Sequence, residues 1–232
     1  MKDEKRIKTG IQGLDELISG GFIENSQILL TGTAGTGKTT FCSEFIWNGA
    51  KNGEPGLYVS FEEPPENIKA NMKKIGFDFE EFEKKKLVLF LRYDPYHIED
   101  IFDLIESAIK KINAKRVVID SISALGLYIR DPSEMRRMIL NISLLLRKAN
   151  ITGLLTSEIP SEQKSLSRFG VEEFVTDGVI VLYYLRSQSQ FARAITVWKM
   201  RGSEHSHKLH PYVITDKGIV IFPKEEAYIK ID

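Results

Sequence analysis

Eight residues near the start of the chain constrain its fold more than any other feature. Residues 32–39 read G-T-A-G-T-G-K-T and fit the pattern G-x-x-x-x-G-K-[ST], the Walker A phosphate-binding loop or P-loop. An apolar stretch, 27–31, precedes them, and residues 40–47 carry apolar side chains at helical spacing. A strand, a glycine-rich turn and a helix N-terminus form the geometry that binds phosphate, because free backbone N–H groups converge there. The pattern predicts a nucleotide-binding α/β domain.

Each residue type in the loop suits phosphate chemistry. Gly32, Gly35 and Gly37 can adopt backbone angles that other residues avoid, and they let backbone amides approach oxygen atoms closely. We expect Lys38 to reach the β and γ phosphates of a nucleoside triphosphate and the Thr39 hydroxyl to hold Mg²⁺. A glycine-rich turn that binds nothing is the alternative, and the flanking strand and helix argue against it.

Length and charge favour one α/β domain. The 232 residues, 42% of them hydrophobic, suffice for one large core, and we expect a single domain over residues 1–232. Basic and acidic residues number 32 each, so no overall positive charge points to nucleic acid, although a local patch stays possible. The single cysteine, Cys42, excludes an intrachain disulfide. A charged N-terminus and the lack of a long apolar run predict a cytoplasmic protein without membrane contact.

Strand and helix patterns alternate after the P-loop. This alternation predicts a mostly parallel sheet flanked by helices on both faces. From residue 179 the strands follow one another with short connections, which predicts an antiparallel C-terminal extension of the sheet. The strand candidates are 57–61, 87–91, 116–120, 152–157, 179–185, 192–200, 212–215 and 219–222, and the helical stretches lie around 65–75, 98–112 and 133–149.

Carboxylates follow two of these strands, at the edge where open α/β sheets bind ligands. Residues 116–120 form an apolar strand that ends at Asp120, and in P-loop proteins such an aspartate lies near the Mg²⁺ ion. Glu62 and Glu63 follow another strand and could orient and polarise the water that attacks the γ-phosphate. Alternatively, this pair only favours the first turn of a helix that begins at Pro64. The residues alone leave both interpretations open.

Two basic residues and three histidines lie close together near the C-terminus. Lys199 and Arg201 would share one face of a strand and could bind a polyphosphate on a neighbouring subunit, or they could simply face solvent. His205, His207 and His210 have no cysteine nearby, and we interpret them as part of a solvated loop and not as a metal site.

Several separate stretches occur in an order that is typical of one family. They are T-G-I-Q-G-L-D-E-L at 9–17, G-G at 20–21, the P-loop, V-S-F-E-E at 59–63, V-I-D-S at 118–121, G-V-E-E-F-V-T-D at 170–177, K-M-R-G-S-E-H at 199–205, and 211–222. Together they resemble the KaiC-like ATPases of the RecA superfamily over nearly the whole chain. The resemblance implies a RecA-like P-loop ATPase core that binds ATP and Mg²⁺ and forms a ring homo-oligomer, usually a hexamer, with ATP at the subunit interfaces.

The resemblance also implies which residues form the site. The phosphate contacts on the chain's own loop would be Gly35, Thr36, Gly37, Lys38, Thr39 and Thr40. The catalytic residues would be Glu62 and Glu63, assisted by Lys38, and the metal-side residues would be Thr39 and Asp120. The contacts from the adjacent subunit would be Lys199, Met200, Arg201, Ser203, His205, Thr215 and Asp216.

Three differences from the family pattern limit these expectations. Clock members of the family have two tandem domains and this chain has one, so a clock function does not follow. Glu173 and Phe174 occupy the place of a phosphorylated Ser–Thr pair, and we therefore expect no autokinase activity there. Lys74 stands where the family has a nucleotide contact of another residue type.

Three functions are compatible with these observations. The leading hypothesis is a slow, Mg²⁺-dependent, homo-oligomeric ATPase whose nucleotide state regulates a protein partner not yet identified. The second is a protein like the RecA and RadA paralogues that binds single-stranded DNA or modulates recombination through loops near 128–135 and 159–170, and the balanced charge argues against it. The third is a nucleotide-sensing scaffold without useful turnover.

Overall fold

The computed structural model describes residues 5–94, 100–160, 165–187 and 190–227. Its strands are β1 (Arg6–Ile7), β2 (Phe22–Ile23), β3 (Gln27–Gly32), β4 (Gly56–Ser60), β5 (Val88–Arg92), β6 (Arg116–Asp120), β7 (Thr152–Glu158), β8 (Gly178–Ser187), β9 (Gln190–Met200), β10 (His210–Thr215) and β11 (Gly218–Ile221). Its helices are α1 (Leu14–Leu17), α2 (Lys38–Lys51), α3 (Pro65–Lys74), α4 (Glu80–Lys84), α5 (Ile101–Ile112), α6 (Pro132–Lys148) and α7 (Glu172–Val175), with a 3₁₀ helix at Ile122–Leu127.

Within these residues, nine strands form one sheet in the order β11-β10-β9-β8-β3-β7-β6-β4-β5. All neighbours from β8 to β5 are parallel, and β8, β9, β10 and β11 pair antiparallel. This order confirms the predicted RecA-like α/β fold with its antiparallel C-terminal extension. The strand boundaries differ from the predicted ones by at most two residues at either end.

Helices cover both faces of the sheet because its central strands are apolar on both sides. In β3, Ile28 and Leu30 belong to a core that includes Phe41 of α2, while Leu29 belongs to the core beneath α5 and α6. Side chains alternate along a strand, so one apolar run supplies both cores. Each fully buried Ile or Leu contributes about 1.5–3 kcal/mol to folding.

The N-terminal segment is fixed to the sheet by one buried arginine. Arg116, at the start of β6, is fully buried and donates to the carbonyl oxygens of Phe45 and Lys8, each at 2.8 Å, and to the Glu54 carboxylate. Its guanidinium lies 4.5 Å from the centroid of the Phe45 ring. Burial lowers the pKa of Arg116, and Glu54 opposes this shift. The arginine therefore connects α2, β6 and the segment before α1.

The described parts of the chain contain no helix that is both long enough and apolar enough to cross a membrane.

Candidate nucleotide-binding site

The P-loop connects the carboxyl end of β3 to the first turn of α2. Gly35 and Gly37 have φ angles of 79° and 89°, in the left-handed region that favours glycine. A Cβ atom on Gly37 would lie 2.5 Å from Cδ1 of Ile214, so a larger residue would displace that side chain as well as strain the backbone. Helix α2 has no side-chain cap, which leaves its first backbone N–H groups free to bind an anion.

A cavity of about 370 Å³ opens beside the loop. It lies at the carboxyl edge of the parallel strands, where β4, β6 and β7 end next to β3. Its lining residues are Ala34, Gly35, Gly37, Lys38, Thr39, Ser60, Glu62, Glu63, Asp120 and Glu158. The sheet thus brings the loop and the carboxylates that the sequence singled out into one cavity.

Asp120 accepts hydrogen bonds from three hydroxyl groups. Thr39 Oγ1 donates to Oδ2 at 3.0 Å, the Tyr58 hydroxyl donates to the same oxygen, and Thr156 Oγ1 donates to Oδ1 at 2.6 Å. Burial, followed by the Asp120 charge, raises the pKa of Tyr58 well above its usual value, so this hydroxyl stays a donor. The Thr39 and Asp120 oxygens are hard ligands of the type that Mg²⁺ prefers. The pair therefore fits the predicted metal position.

Lys38 is buried against its own loop. Its Nζ donates to the carbonyl oxygens of Gly32 at 2.9 Å and Thr33 at 3.1 Å. Burial lowers the pKa of Lys38, while Glu158 and Asp120 raise it. Because the side chain is only 8% exposed, its charge acts with little screening inside the cavity.

Glu62 and Glu63 line the cavity between β4 and α3. Helix α3 begins at Pro65, and its first-turn acid is Glu66, so the pair lies ahead of the helix and not in its first turn. Burial raises the pKa of both carboxyl groups, and Asp120 adds to the shift in each case. For Glu62, repulsion from Glu158 is a larger cause than repulsion from Asp120. Both groups are thus better proton acceptors than ordinary glutamates.

Glu158, Tyr58 and Thr156 contact the site but were not predicted from the sequence. Glu158 ends β7, the strand next to β3, and its carboxylate faces Lys38 and Glu62. The rule that found Glu62, an acid at the carboxyl end of a strand, would also have found Glu158. Tyr58 and Thr156 lie within apolar strands and carry no such signal.

The other predicted phosphate contacts, Thr36 and Thr40, differ in which of their groups can face a ligand. The Thr36 side chain is buried and its Oγ1 donates to the Thr33 carbonyl at 2.8 Å, so only the Thr36 backbone can face a ligand. Thr40 lies in the first turn of α2, outside the cavity lining.

Lys199 and Arg201 lie toward the amino ends of the parallel strands, whereas the P-loop lies at their carboxyl ends. Lys199 pairs with Val179 at the start of β8, whereas Gly32 pairs with Leu182 further along that strand. The described structure therefore does not bring these two basic residues to the chain's own cavity. Arg201 lies in the turn after β9, which corrects the expectation that both belong to one strand face.

Both basic side chains contact α7. Lys199 Nζ donates to the carbonyl oxygens of Glu173 at 2.5 Å and Thr176 at 2.7 Å. Arg201 donates to the Phe174 carbonyl at 3.2 Å. A β-bulge precedes the two basic residues: Val179 pairs with Lys199 while Ile180 pairs with Val197, which leaves Trp198 as an extra residue.

The remaining residues predicted for the adjacent subunit's site divide into two groups. Met200 is buried in the core, while Ser203 and His205 follow it at the edge that carries Lys199, and these two side chains bond to the carbonyl oxygens of Glu204 and Ser206. Thr215 and Asp216 lie at the β10–β11 turn, next to Ile214, which packs against Gly37 of the P-loop.

The expectation of a solvated histidine loop is wrong for His210. This residue begins β10, is only 2% exposed, and its ring nitrogens bond to Ser206 Oγ and the Glu225 carbonyl oxygen. His207 is exposed and His205 half-buried, with ring centroids 4.5 Å apart. Among the residues that the structure describes, no cluster of three or more His, Cys, Asp or Glu side chains could hold a metal ion.

Comparisons with known proteins identify the family. The chain matches the family described as "ATPase: KaiC" over residues 7–226. A UPF0273 protein of Thermotoga maritima is 40% identical over 95% of this chain and 97% of its own length, and one of Pyrococcus horikoshii is 39% identical over 94% of each. The circadian clock protein KaiC3 of Synechocystis is 33% identical over 94% of this chain, which corresponds to 46% of that protein.

A solved structure shows the same fold. The crystal structure of a KaiC-like protein from Pyrococcus horikoshii is 40% identical, with a TM-score of 0.87 over 95% of this chain and all of that one. The family match, the identity to whole relatives and the P-loop cavity agree with one another. The chain therefore belongs to the KaiC-like ATPases of the RecA superfamily, a family of nucleotide-binding proteins.

Proposed function

We propose that this chain is a Mg²⁺-dependent, homo-oligomeric ATPase that acts as one domain over residues 1–232 and regulates a protein partner in the cytoplasm through its nucleotide state. The hydrogen bond between Thr39 and Asp120, in the cavity that also holds Lys38, Glu62 and Glu63, is the observation that supports this proposal most. It joins the loop that fits phosphate to an acid that fits Mg²⁺.

The cavity residues fit ATP and Mg²⁺ in distinct ways. The free N–H groups of the loop and the first turn of α2 would bind the phosphates, together with the Lys38 ammonium. Thr39 and Asp120 would hold the ion, which when bound neutralises charge on the β and γ phosphates. Four carboxylates and one lysine make the cavity acidic, so the magnesium complex suits it better than free ATP.

Hydrolysis requires that a water attack the γ-phosphorus while the bond to the β–γ bridging oxygen breaks, giving ADP and phosphate. Glu62 would orient this water and accept its proton, and Glu63 would assist, because both have raised pKa values and face the cavity. Lys38 would stabilise the negative charge on the phosphate oxygens. No phosphorylatable side chain stands at Glu173 and Phe174, so the proposal includes no autokinase step there.

Assembly would complete the site. Lys199 and Arg201 lie at the end of the sheet opposite their own cavity. From a neighbouring subunit they would add positive charge beside the γ-phosphate. Phe174 and Trp198, next to these residues, are 60% and 58% exposed, and such apolar side chains are typical of an interface. We propose a ring homo-oligomer, a hexamer as is usual in the family. Each subunit would hydrolyse ATP slowly, at a rate that depends on its neighbour.

A pair of glutamate substitutions tests the catalytic part of this proposal. Glu62→Gln keeps the size of the side chain but removes the proton acceptor, so the ATPase rate should fall by about 10²–10⁴-fold. Glu66→Gln, at an exposed position in the first turn of α3, is the matched control and should keep the wild-type rate. Equal rates for all three proteins would contradict the assignment, and nucleotide binding by a wild type that never hydrolyses ATP would favour the scaffold hypothesis.

One observation favours the second candidate function, binding of single-stranded nucleic acid. Tyr184 and Phe191 are exposed and stacked with their ring centroids 4.9 Å apart, and the Arg193 guanidinium lies 4.8 Å from the Tyr184 ring. Bases stack on exposed aromatic rings of this kind. Binding of an oligodeoxythymidine that weakens steeply with salt, and is lost in Phe191→Ala, would support this function.

A further inference from the structure

Two side chains from the antiparallel part of the sheet contact the P-loop from outside the cavity. Arg193 of β9 donates from Nε and Nη2 to the Gly35 carbonyl oxygen, at 3.2 and 3.1 Å. The Tyr212 hydroxyl of β10 donates to the Thr36 carbonyl oxygen. Neither Arg193 nor Tyr212 lines the cavity. Two consecutive peptide units of the loop are therefore held by their carbonyl groups.

These contacts determine where the loop's N–H groups point. The C=O and N–H groups of a trans peptide point in opposite directions. Since the carbonyls of Gly35 and Thr36 face Arg193 and Tyr212, the N–H groups of Thr36 and Gly37 point away from these two side chains, toward the cavity side of the loop. A reversed peptide would instead present a carbonyl oxygen, which repels phosphate.

Both side chains are themselves held in place. Tyr212 is only 2% exposed, and burial raises the pKa of its hydroxyl well above the usual value, so it remains a neutral donor. The Arg193 guanidinium lies against the Tyr184 ring, and that ring would be 3.7 Å from a Cβ atom on Gly35. A charged donor strengthens its hydrogen bond, and stacking on an aromatic ring limits its motion.

We propose that Arg193 and Tyr212 are positioning residues that hold the P-loop with the Thr36 and Gly37 amides directed at the phosphates of the nucleotide. This inference rests on the proposed function of the cavity as an ATP site. It assigns a role in nucleotide affinity to two residues that lie far from the loop in sequence and outside the cavity lining.

The test compares phosphate affinity in two variants, their two controls and Arg193→Lys. Arg193→Gln and Tyr212→Phe each remove one contact to a loop carbonyl, and their controls are Arg136→Gln, on the exposed side of α6, and Tyr183→Phe in β8. Calorimetric titrations with magnesium-ADP and with inorganic tripolyphosphate measure binding to the loop with and without the nucleoside.

We expect both probes to bind about 10-fold more weakly to each of the two variants, as for the loss of one hydrogen bond from a preorganised site. The controls should bind as the wild type does. In steady-state kinetics the KM for ATP should rise by a similar factor while kcat changes less. Arg193→Lys should recover part of the affinity, because an ammonium can still donate to Gly35.

Three results would overturn the inference. Both variants could bind magnesium-ADP within about two-fold of the wild type, a smaller change in affinity than the loss of one hydrogen bond would cause. Affinity could fall only in proportion to a fall in Tm, in which case the role is structural. A wild type that binds neither probe would instead refute the proposed ATP site, and the inference with it.

Discussion

Lys38 shares its cavity with four carboxylates, those of Glu62, Glu63, Asp120 and Glu158. Sequence reasoning placed three of these acids, because each followed a strand in a motif that was recognised. It missed Glu158, which directly follows the predicted strand 152–157, because no recognised motif includes this residue. It also missed the hydroxyls of Tyr58 and Thr156, since a contact with Asp120 across neighbouring strands depends on sheet order, which no local pattern shows.

A buried glutamate on the P-loop helix makes folding stability depend on pH. Glu44 is 4% exposed, and burial raises its pKa to about 7, while a hydrogen bond from the Ile219 N–H opposes the shift. Because the folded-state pKa lies above the unfolded value, the folded protein binds this proton more tightly. The contribution to stability is complete below the unfolded pKa and is lost as the pH rises to about 7.

Substitution of Glu44 should therefore flatten the pH profile. Urea unfolding of the wild type should show a free energy that falls by up to about 1.4 kcal/mol per pH unit from this residue between pH 5 and 7. In Glu44→Gln, whose amide oxygen can still accept from Ile219, that component should disappear. Parallel profiles for the two proteins would mean that Glu44 titrates normally in the folded state.

At the scale of elements, the sequence predicts those strands and helices whose pattern of apolar residues is long and regular. The apolar strands around the P-loop and the helices α3, α5 and α6 were predictable because their patterns are long and regular. The end of β9 was not, because the strand stops at Met200 and Arg201 already belongs to the turn that follows. Polar residues surround His210 in the sequence and predict a loop, yet pairing with β9 buries this residue.

Arg116 provides a test of how the N-terminal segment is held. Arg116→Met should lower the free energy of unfolding by about 3–5 kcal/mol, because Glu54 and the carbonyls of Phe45 and Lys8 lose their buried partner. Lys115→Met, at the exposed preceding position, is the control and should change stability by less than about 0.5 kcal/mol. Equal urea midpoints for the two variants would show that the arginine network adds no stability.

At the scale of the whole molecule, the proposed nucleotide site is divided between opposite ends of the sheet. One half is the P-loop cavity. The other is the surface at the end of β9, where Lys199 and Arg201 lie beside the exposed Phe174 and Trp198. The fold and the first half could be predicted from local motifs. The separation of the second half could not, because it follows from the order and direction of β3, β8 and β9.

Mixing two inactive variants tests this division most directly. Glu62→Gln removes the proton acceptor but keeps the basic residues, and the double variant Lys199→Ala/Arg201→Ala does the reverse. If the basic residues act on a neighbour, co-assembled variants should regain activity at about a quarter of their interfaces, those that join an intact cavity to an intact basic edge. ATPase activity well above either variant alone is the predicted result. A mixed assembly no more active than its separate components would contradict a site shared between subunits.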